Sequence, residues 1–179
     1  VMPPGNLCGL ALWDLSQGRT GGVAGAIQRL RALPTPRNPA LPPTGRELCA
    51  DVLSATLAQQ AGASDAAAQI DALDRVLGQG PSRNITWENL AVARLLEERG
   101  EYARAAKAAS RHRVYYLYPA FLATHWYETA RLSELAGERQ AAIDNYSKFI
   151  TLRKNSEPSL QPKLEAAKQA LARLVGEKN

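Results

Sequence analysis

The sequence is poor in several residue types that mark particular protein classes. Among 179 residues it has two cysteines, two histidines and few aromatic side chains, namely 3 Trp, 6 Tyr and 2 Phe. No stretch approaches 18 consecutive apolar residues, so no membrane-spanning helix is predicted. Residues 1–5 contain no basic run followed by an apolar run, so no secretory signal peptide is predicted. Because the chain opens on Val1 rather than Met, we expect it to be part of a longer protein.

Cysteine and histidine are too few and too scattered to build a metal site. Cys8 and Cys49 lie far apart without a C-x-x-C motif, and His112 and His125 add no metal-ligand spacing. Both cysteines fall on apolar faces of predicted helices, where a free thiol behaves as a small hydrophobic side chain. We therefore predict reduced thiols, no bound metal, no cofactor and a cytoplasmic location, with an extracytoplasmic domain of a membrane-anchored chain as the alternative.

Motifs of the common catalytic sites are missing as well. Neither a G-x-S-x-G motif nor a phosphate-binding G-x-x-x-x-G-K-[ST] motif occurs. The Gly-rich stretch 18–25 lacks the Lys-Ser/Thr pair, so we interpret it as a turn between helices. No nucleophile stands at a motif spacing from either histidine. The sequence thus predicts a protein without enzymatic activity.

Alanine is the most informative component of what the sequence does contain, with 31 of 179 residues. Alanine has the highest helix propensity, and its small side chain allows helices to pack closely. Residues branched at Cβ are sparse and never alternate over a strand-length window. With 45% apolar and 22% charged residues, the chain has the composition of a folded protein. These features predict an all-α fold.

Glycines recur at a period that is typical of helical repeats. Gly21, Gly62, Gly100 and Gly137 are separated by 41, 38 and 37 residues, and each precedes an apolar, helix-like segment. A glycine at the end of a helix allows the positive φ that reverses the chain. Small or modest residues stand five positions after and seven positions before these glycines: Ala26, Ala67, Ala105, Ala142, and Asp14, Ala55, Ala93, Ala130. The pattern predicts a solenoid of about four helical hairpins.

Two segments resemble the tetratricopeptide repeat (TPR) family. Residues 98–106 and 135–146 are similar to the turn and second helix of such a repeat, whereas the first two hairpins match it poorly. Signature positions of the last repeat are filled by Trp126, Ala130, Gly137, Ala142, Tyr146 and Phe149. Residues 149–162 resemble the closing segment of bacterial TPR regions that follow Ser/Thr kinase or transcriptional-activator domains. The resemblance implies a right-handed solenoid that binds proteins within a larger bacterial signalling or regulatory protein.

The helix signals divide the chain into repeats and flanking segments. We predict a disordered or extended start at 1–6, TPR-like repeats over 7–155, and a capping helix with a tail at 156–179. The hairpins are expected at about 7–33, 45–78, 87–116 and 119–154. Five prolines make 34–44 a linker, with a P-x-x-P ligand as the alternative. The final helix has a dimerising coiled coil as its alternative, although two heptads are short for one.

Two binding functions follow from this organisation. The first helices of TPR hairpins line a concave surface, so the resemblance implies that a peptide or protein segment binds there. The candidate contact residues are Trp87, Leu90, Arg94, Glu97, Glu98, Thr124, Tyr127, Arg131 and Glu134. Nucleic-acid binding is the alternative, because residues 99–179 carry 14 basic and 8 acidic side chains. The densest basic patch comprises Arg99, Arg104, Lys107, Arg111 and Arg113.

Aromatic side chains follow this basic patch closely. Tyr115, Tyr116 and Tyr118 come next in the chain, and Trp126 and Tyr127 lie a little further on. Aromatic and cationic side chains in alternation can stack on bases and hold phosphates. The interpretation that we favour is that these rings fill the joint between the third and fourth hairpins, ahead of a surface for a peptide or a nucleic acid. The sequence leaves both interpretations open, and it leaves the oligomeric state open as well.

Overall fold

A computed structural model describes residues 4–32, 45–79, 87–111 and 119–176. Within these ranges the chain folds into helices, and no strand is found. The helices are α1 (Pro4–Ser16), α2 (Val23–Ala32), α3 (Gly45–Gln60), α4 (Ala66–Gln79), α5 (Trp87–Glu98), α6 (Tyr102–Ser110), α7 (Pro119–Leu135), α8 (Arg139–Arg153) and α9 (Gln161–Gly176), with a 3₁₀ turn at Pro158–Leu160. The prediction of an all-α fold is confirmed over the described residues.

Four glycines with positive φ end the first helix of each helix pair. Gly18, Gly62, Gly100 and Gly137 have φ values of 70°, 64°, 75° and 76°. Each glycine N–H donates to the carbonyl three residues back, and the following N–H donates to the carbonyl five residues back, at 2.8 and 2.9 Å around Gly100. These paired hydrogen bonds form a Schellman motif, which requires a residue that tolerates the left-handed region. The same local device therefore reverses the chain four times.

The first of these turns lies three residues before the predicted one. The sequence pattern indicated Gly21, but the glycine with positive φ is Gly18. Counting from Gly18, the residue seven positions back is the buried Ala11 instead of Asp14. The equivalent residues of the other three pairs are also buried alanines: Ala55, Ala93 and Ala130. The corrected turn gives the first helix of every pair a buried alanine seven residues before its glycine, while Val23 replaces the alanine five residues after it.

The chain forms two compact units, Val1–Leu95 (unit 1) and Leu96–Asn179 (unit 2), with the boundary inside α5. In unit 1, α1, α2 and α3 pack against one another and α4 packs on α3. The half-buried Trp87, at the start of α5, packs against the unit 1 core. That core consists of Ala11, Leu15, Val23, Ala26, Ile27, Leu30, Cys49, Ala50 and Leu53.

A disulfide bond joins α1 to α3 in unit 1. Cys8 and Cys49 are bonded, with their Cα atoms 6.2 Å apart and a sequence separation of 41 residues. The prediction of reduced, free thiols was therefore wrong. Each cysteine does lie on an apolar helix face, but the packing of α1 on α3 brings the two faces together. By the chain-entropy estimate, a cross-link over this length stabilises the fold by about 4 kcal/mol.

Unit 2 has a core that is richer in aromatic side chains. In this unit α7 packs on α6 and α8, and α9 packs on α8. The core consists of Ala123, Ala130, Ala142, Tyr146, Phe149, Leu164, Ala167, Ala170 and Leu174. The last four come from one stripe of α9, spaced by three or four residues as a helix face requires. Helix α9 thus covers the α7–α8 pair with its apolar stripe.

One predicted boundary differs from the structure, and two predicted segments lie outside the described residues. Helix α1 begins at Pro4, so residues 4–6 are helical and not extended as predicted. The Pro-rich segment 34–44, with its P-x-x-P motif, and the predicted end of the third hairpin beyond residue 111 lie outside the described residues. None of the described helices combines the length and the apolar character that crossing a bilayer requires.

Candidate functional site

Arg131 is the centre of an ion-pair network in unit 2. Its guanidinium group donates to both carboxylate oxygens of Glu97, and the Nη2–Oε2 distance is 2.6 Å. It also donates to Glu128, one turn earlier on α7, at 2.9 Å. The hydrogen bonds to Glu97 raise the pKa of Arg131 well above its ordinary value, with a further contribution from Glu128. Two of the predicted contact residues are thus brought together, but as partners of each other.

Tyr127, a third predicted contact residue, is packed on several sides. Its ring centroid lies 5.1 Å from that of Phe149 and 6.2 Å from that of Tyr146. The Nζ of Lys163, on α9, lies 4.0 Å from the centre of the Tyr127 ring, which is the geometry of a cation–π interaction. Burial and the nearby carboxylate of Glu128 raise the pKa of Tyr127.

Glu134 is engaged in a similar way near the end of α7. The hydroxyl of Tyr146 donates to Glu134 at 2.9 Å, and the guanidinium of Arg173, on α9, pairs with the same carboxylate. Burial and the hydrogen bond to Glu134 raise the pKa of Tyr146 above its ordinary range. The predicted contact residue Glu134 therefore links α7 to both α8 and α9.

Helix α9 supplies the cations for much of this network. Lys163 lies 3.8 Å from Glu128, and Arg173 pairs with Glu134 further along α7. The two contacts advance in the same direction along both helices, so α9 runs parallel to α7. Side chains of α9 therefore engage the α7 surface that the sequence assigned to an external partner.

The remaining predicted contact residues are more scattered. Leu90 is buried, Trp87 is half-buried in the unit 1 core, and Arg94 is exposed on α5. In unit 2, Glu98 is exposed and Thr124 is half-buried. The described contacts link Glu97, Tyr127, Arg131 and Glu134 through shared partners in unit 2.

Two arginines of the predicted basic patch are already paired with a carboxylate. Arg99 and Arg104 both pair with Glu101, whose pKa the hydrogen bond from Arg99 lowers, assisted by Arg104. Lys107 is exposed and Arg111 is half-buried, whereas Arg113 lies outside the described residues. The two arginines nearest the Gly100 turn thus have a carboxylate of their own.

Sequence reasoning missed a cleft on the α7–α8 pair. It has a volume of about 450 Å³ and is lined by Trp126, Ser147, Lys148, Thr151 and Leu152. The α8 residues follow a helical spacing of one, three and one, so they form one face over two turns. The spacing of the α8 residues was visible in the sequence, but their approach to Trp126 of α7 depends on how the two helices pack.

A buried carboxyl group in unit 1 was missed as well. Glu88 lies in the first turn of α5 and is only 2% exposed. Its Oε2 has no hydrogen-bond partner among the described residues, and burial raises the pKa of Glu88 to about 7. No group of three His, Cys, Asp or Glu side chains in the described ranges is arranged to hold a metal ion.

Comparisons with protein-family models, with curated proteins and with solved structures find no match to this chain. The resemblance to TPR proteins therefore remains a hypothesis.

Proposed function

We propose that this chain is a non-enzymatic protein-interaction module made of stacked, TPR-like helical hairpins with α9 as the C-terminal cap. It binds a peptide or protein segment, as part of a larger bacterial signalling or regulatory protein. Stacked hairpins present long rows of helices to a partner, and they suit extended or helical peptide ligands.

One observation carries this proposal. The first helices of successive pairs contact one another through residues about one repeat apart, and α9 contacts α7 at a similar separation. A stack of hairpins produces such a pattern, because each repeat contacts only its neighbours. The contacts are Cys8–Cys49, Gln59–Leu95, Glu97–Arg131 and Glu128–Lys163.

The alternative of nucleic-acid binding draws less support from these contacts. A protein neutralises phosphates with Lys and Arg side chains, and a side chain that is already paired with a carboxylate must break that pair first. Arg99, Arg104 and Arg131 are instead paired with carboxylates of unit 2. At these three positions the positive charge is therefore offset by neighbouring carboxylates.

The disulfide also changes the proposed location. Disulfides persist in oxidising compartments and are rare where thiol reductants are abundant. Because Cys8 and Cys49 are bonded, we propose an oxidising, extracytoplasmic compartment in place of the cytoplasm expected from the sequence. Mass spectrometry of the alkylated native protein tests this, since a free-thiol adduct on Cys8 would contradict it.

A peptide selection tests the interaction function directly. The oxidised chain is immobilised and probed with a phage-displayed library of random 12-residue peptides. We expect a related set of peptides to be enriched and, once synthesised, to bind with micromolar dissociation constants. Failure to enrich any related peptides would contradict the proposal, and retention on double-stranded DNA at physiological salt would favour the nucleic-acid alternative.

A further inference from the structure

We propose that the cleft on the α7–α8 pair is the peptide-docking site, and that it takes a segment with a large apolar side chain next to a carboxylate. The inference rests on the interaction function proposed above. The cleft consists of Trp126, Ser147, Lys148, Thr151 and Leu152, and it lies entirely within unit 2.

The first reason is that α7 is engaged elsewhere. Tyr127, Arg131 and Glu134 are bound by side chains of α5, α8 and α9 within unit 2. A partner on that surface would have to displace Lys163 and Arg173 first. The cleft lined by Trp126 and α8 residues requires no ion pair to be broken among the contacts described.

The second reason is the apolar lining of the cleft. Leu152 is 47% exposed, and the indole of Trp126 is half-buried against the unit 2 core. An exposed leucine beside an aromatic ring can contact one large apolar side chain of a partner. A tryptophan held on one side by its own core is also a rigid anchor of the kind that dominates binding energy at interfaces.

The third reason is the polarity of the cleft. The hydroxyl of Ser147 donates to the Ile143 carbonyl and that of Thr151 to the Ser147 carbonyl, both at 2.8 Å. Their protons are thus used, and each hydroxyl can only accept a hydrogen bond from a partner. Lys148 is exposed and forms no ion pair among the described residues, and no described carboxylate lines the cleft.

These features together identify the chemistry of the ligand. One cation calls for one carboxylate, the two acceptors suit N–H donors, and the apolar wall suits an apolar side chain. A peptide provides all three groups, whereas a nucleic acid offers repeated phosphates that a single lysine cannot match. The occupant is therefore an acidic peptide segment with an apolar anchor.

The test uses peptides from the selection described above, synthesised with a fluorescent label. Their affinities are measured for the full oxidised chain and for Leu152→Ser, Lys148→Glu and Trp126→Ala. We expect enriched peptides to carry a large apolar residue within about four positions of Asp or Glu. Leu152→Ser and Lys148→Glu should each weaken binding at least tenfold, and the Trp126 indole NMR signal should shift on binding.

Matched controls keep the result interpretable. Leu135→Ser alters a leucine of similar exposure on α7, and Lys107→Glu alters an exposed lysine on α6. Both should change affinity by less than twofold. Because Trp126→Ala removes core contacts, circular dichroism must show that it still folds, and the two surface variants carry the test if it does not.

The possible failures point to different conclusions. If peptides bind but the three cleft variants leave their affinity unchanged, the docking site is wrong and the interaction function stands. Loss of binding in Arg94→Ala would then locate the site on the exposed surface of α5. If no related peptides are enriched, both the docking site and the interaction function are contradicted.

Discussion

Units 1 and 2 are built from similar helix pairs but are stabilised by different interactions. Unit 1 has a covalent link between α1 and α3, and two of its ion pairs, Arg19–Asp14 and Arg31–Asp51, are largely exposed. Unit 2 has an aromatic core and a network in which Glu97, Glu128 and Arg131 are mostly buried. The same hairpin can thus be held by a cross-link in one place and by charge pairs in another.

The difference shows which parts of a helical repeat are interchangeable. The Schellman glycines and the buried alanines occur in both units, because chain reversal and close packing are needed in every hairpin. The contacts between the first helices of neighbouring pairs, in contrast, are made by different kinds of interaction. In unit 1 a disulfide makes one of them, and in unit 2 a bidentate ion pair does. Four predictions test this comparison, beginning with the largest effect.

Reduction of the disulfide should destabilise unit 1 far more than unit 2. Loss of the Cys8–Cys49 cross-link is expected to cost about 4 kcal/mol, because the unfolded chain regains the entropy of a 41-residue separation. Hydrogen exchange followed by mass spectrometry, with and without dithiothreitol, measures the loss of protection in each unit. The fastest increase in exchange should occur in α1 and α3.

A variant provides the control for this experiment. Replacing Cys8 and Cys49 together with alanine should reproduce the effect of reduction and make the protein insensitive to dithiothreitol. Equal loss of protection in α7 and α8 would contradict the idea that the two units are stabilised separately.

Glu88→Gln should stabilise unit 1, by about 2–3 kcal/mol at neutral pH. Burial raises the pKa of Glu88 to about 7, so the folded state holds this proton more tightly than the unfolded state. As the pH rises from about 4.3 to about 7, the unfolded chain ionises while the folded chain does not. The loss of folding stability caused by Glu88 therefore grows over this pH interval and is complete above it. Glutamine carries no charge and avoids this loss.

Urea unfolding at several pH values measures this effect. The two proteins should have similar stability near pH 4, and the gap should widen up to about pH 7. Glu98→Gln, at an exposed position of the same helix, is the matched control and should show no such divergence. A constant gap at all pH values would mean that packing, and not ionisation, accounts for the change.

Gly18→Ala should cost about 1–2 kcal/mol, because Gly18 has a φ of +70° that alanine adopts only with strain. Gly21, the turn residue expected from the sequence, has open space around its Cβ position and no positive φ. Gly21→Ala should therefore change the free energy of unfolding by less than about 0.5 kcal/mol. Thermal unfolding of both variants decides which glycine ends the first helix.

Gly137→Ala extends this test to unit 2. Gly137 forms the same turn with a φ of +76°, so its replacement should cost as much as that of Gly18. A large cost for Gly21→Ala and none for Gly18→Ala would restore the turn predicted from the sequence.

The sequence predicted the parts of this structure that depend on local chemistry. Helices and turns follow from alanine content, glycine spacing and prolines, which act within a few residues, so the helix bounds came close. The error at Gly18 arose because two neighbouring glycines, Gly21 and Gly22, fitted the period better. The pairing of Cys8 with Cys49 depends on how two helices pack, and its one signal in the sequence is a separation of 41 residues, equal to the interval between Gly21 and Gly62.

The candidate site was predicted less well for a similar reason. Tyr127, Arg131 and Glu134 were predicted to lie on one face of a helix, since residues three or four apart share a helix face. Helical periodicity cannot show what already occupies that face, and here Lys163 and Arg173 come from more than 30 residues further along the chain. The cleft at Trp126 was missed because it needs the relative placement of two helices.

The smallest expected effect compares the ion pairs of the two units. Glu97 and Arg131 share two hydrogen bonds and are 24% and 30% exposed, whereas Arg31 and Asp51 share one and are 54% and 51% exposed. Double-mutant cycles with Glu97→Gln and Arg131→Gln should give a coupling energy of about 1 kcal/mol. The cycle with Arg31→Gln and Asp51→Asn should give less than about 0.5 kcal/mol. Raising the salt concentration should nearly abolish the second coupling and leave most of the first, because exposed charges are screened more effectively. Equal couplings with equal salt dependence would show that charge pairing does not distinguish unit 2 from unit 1.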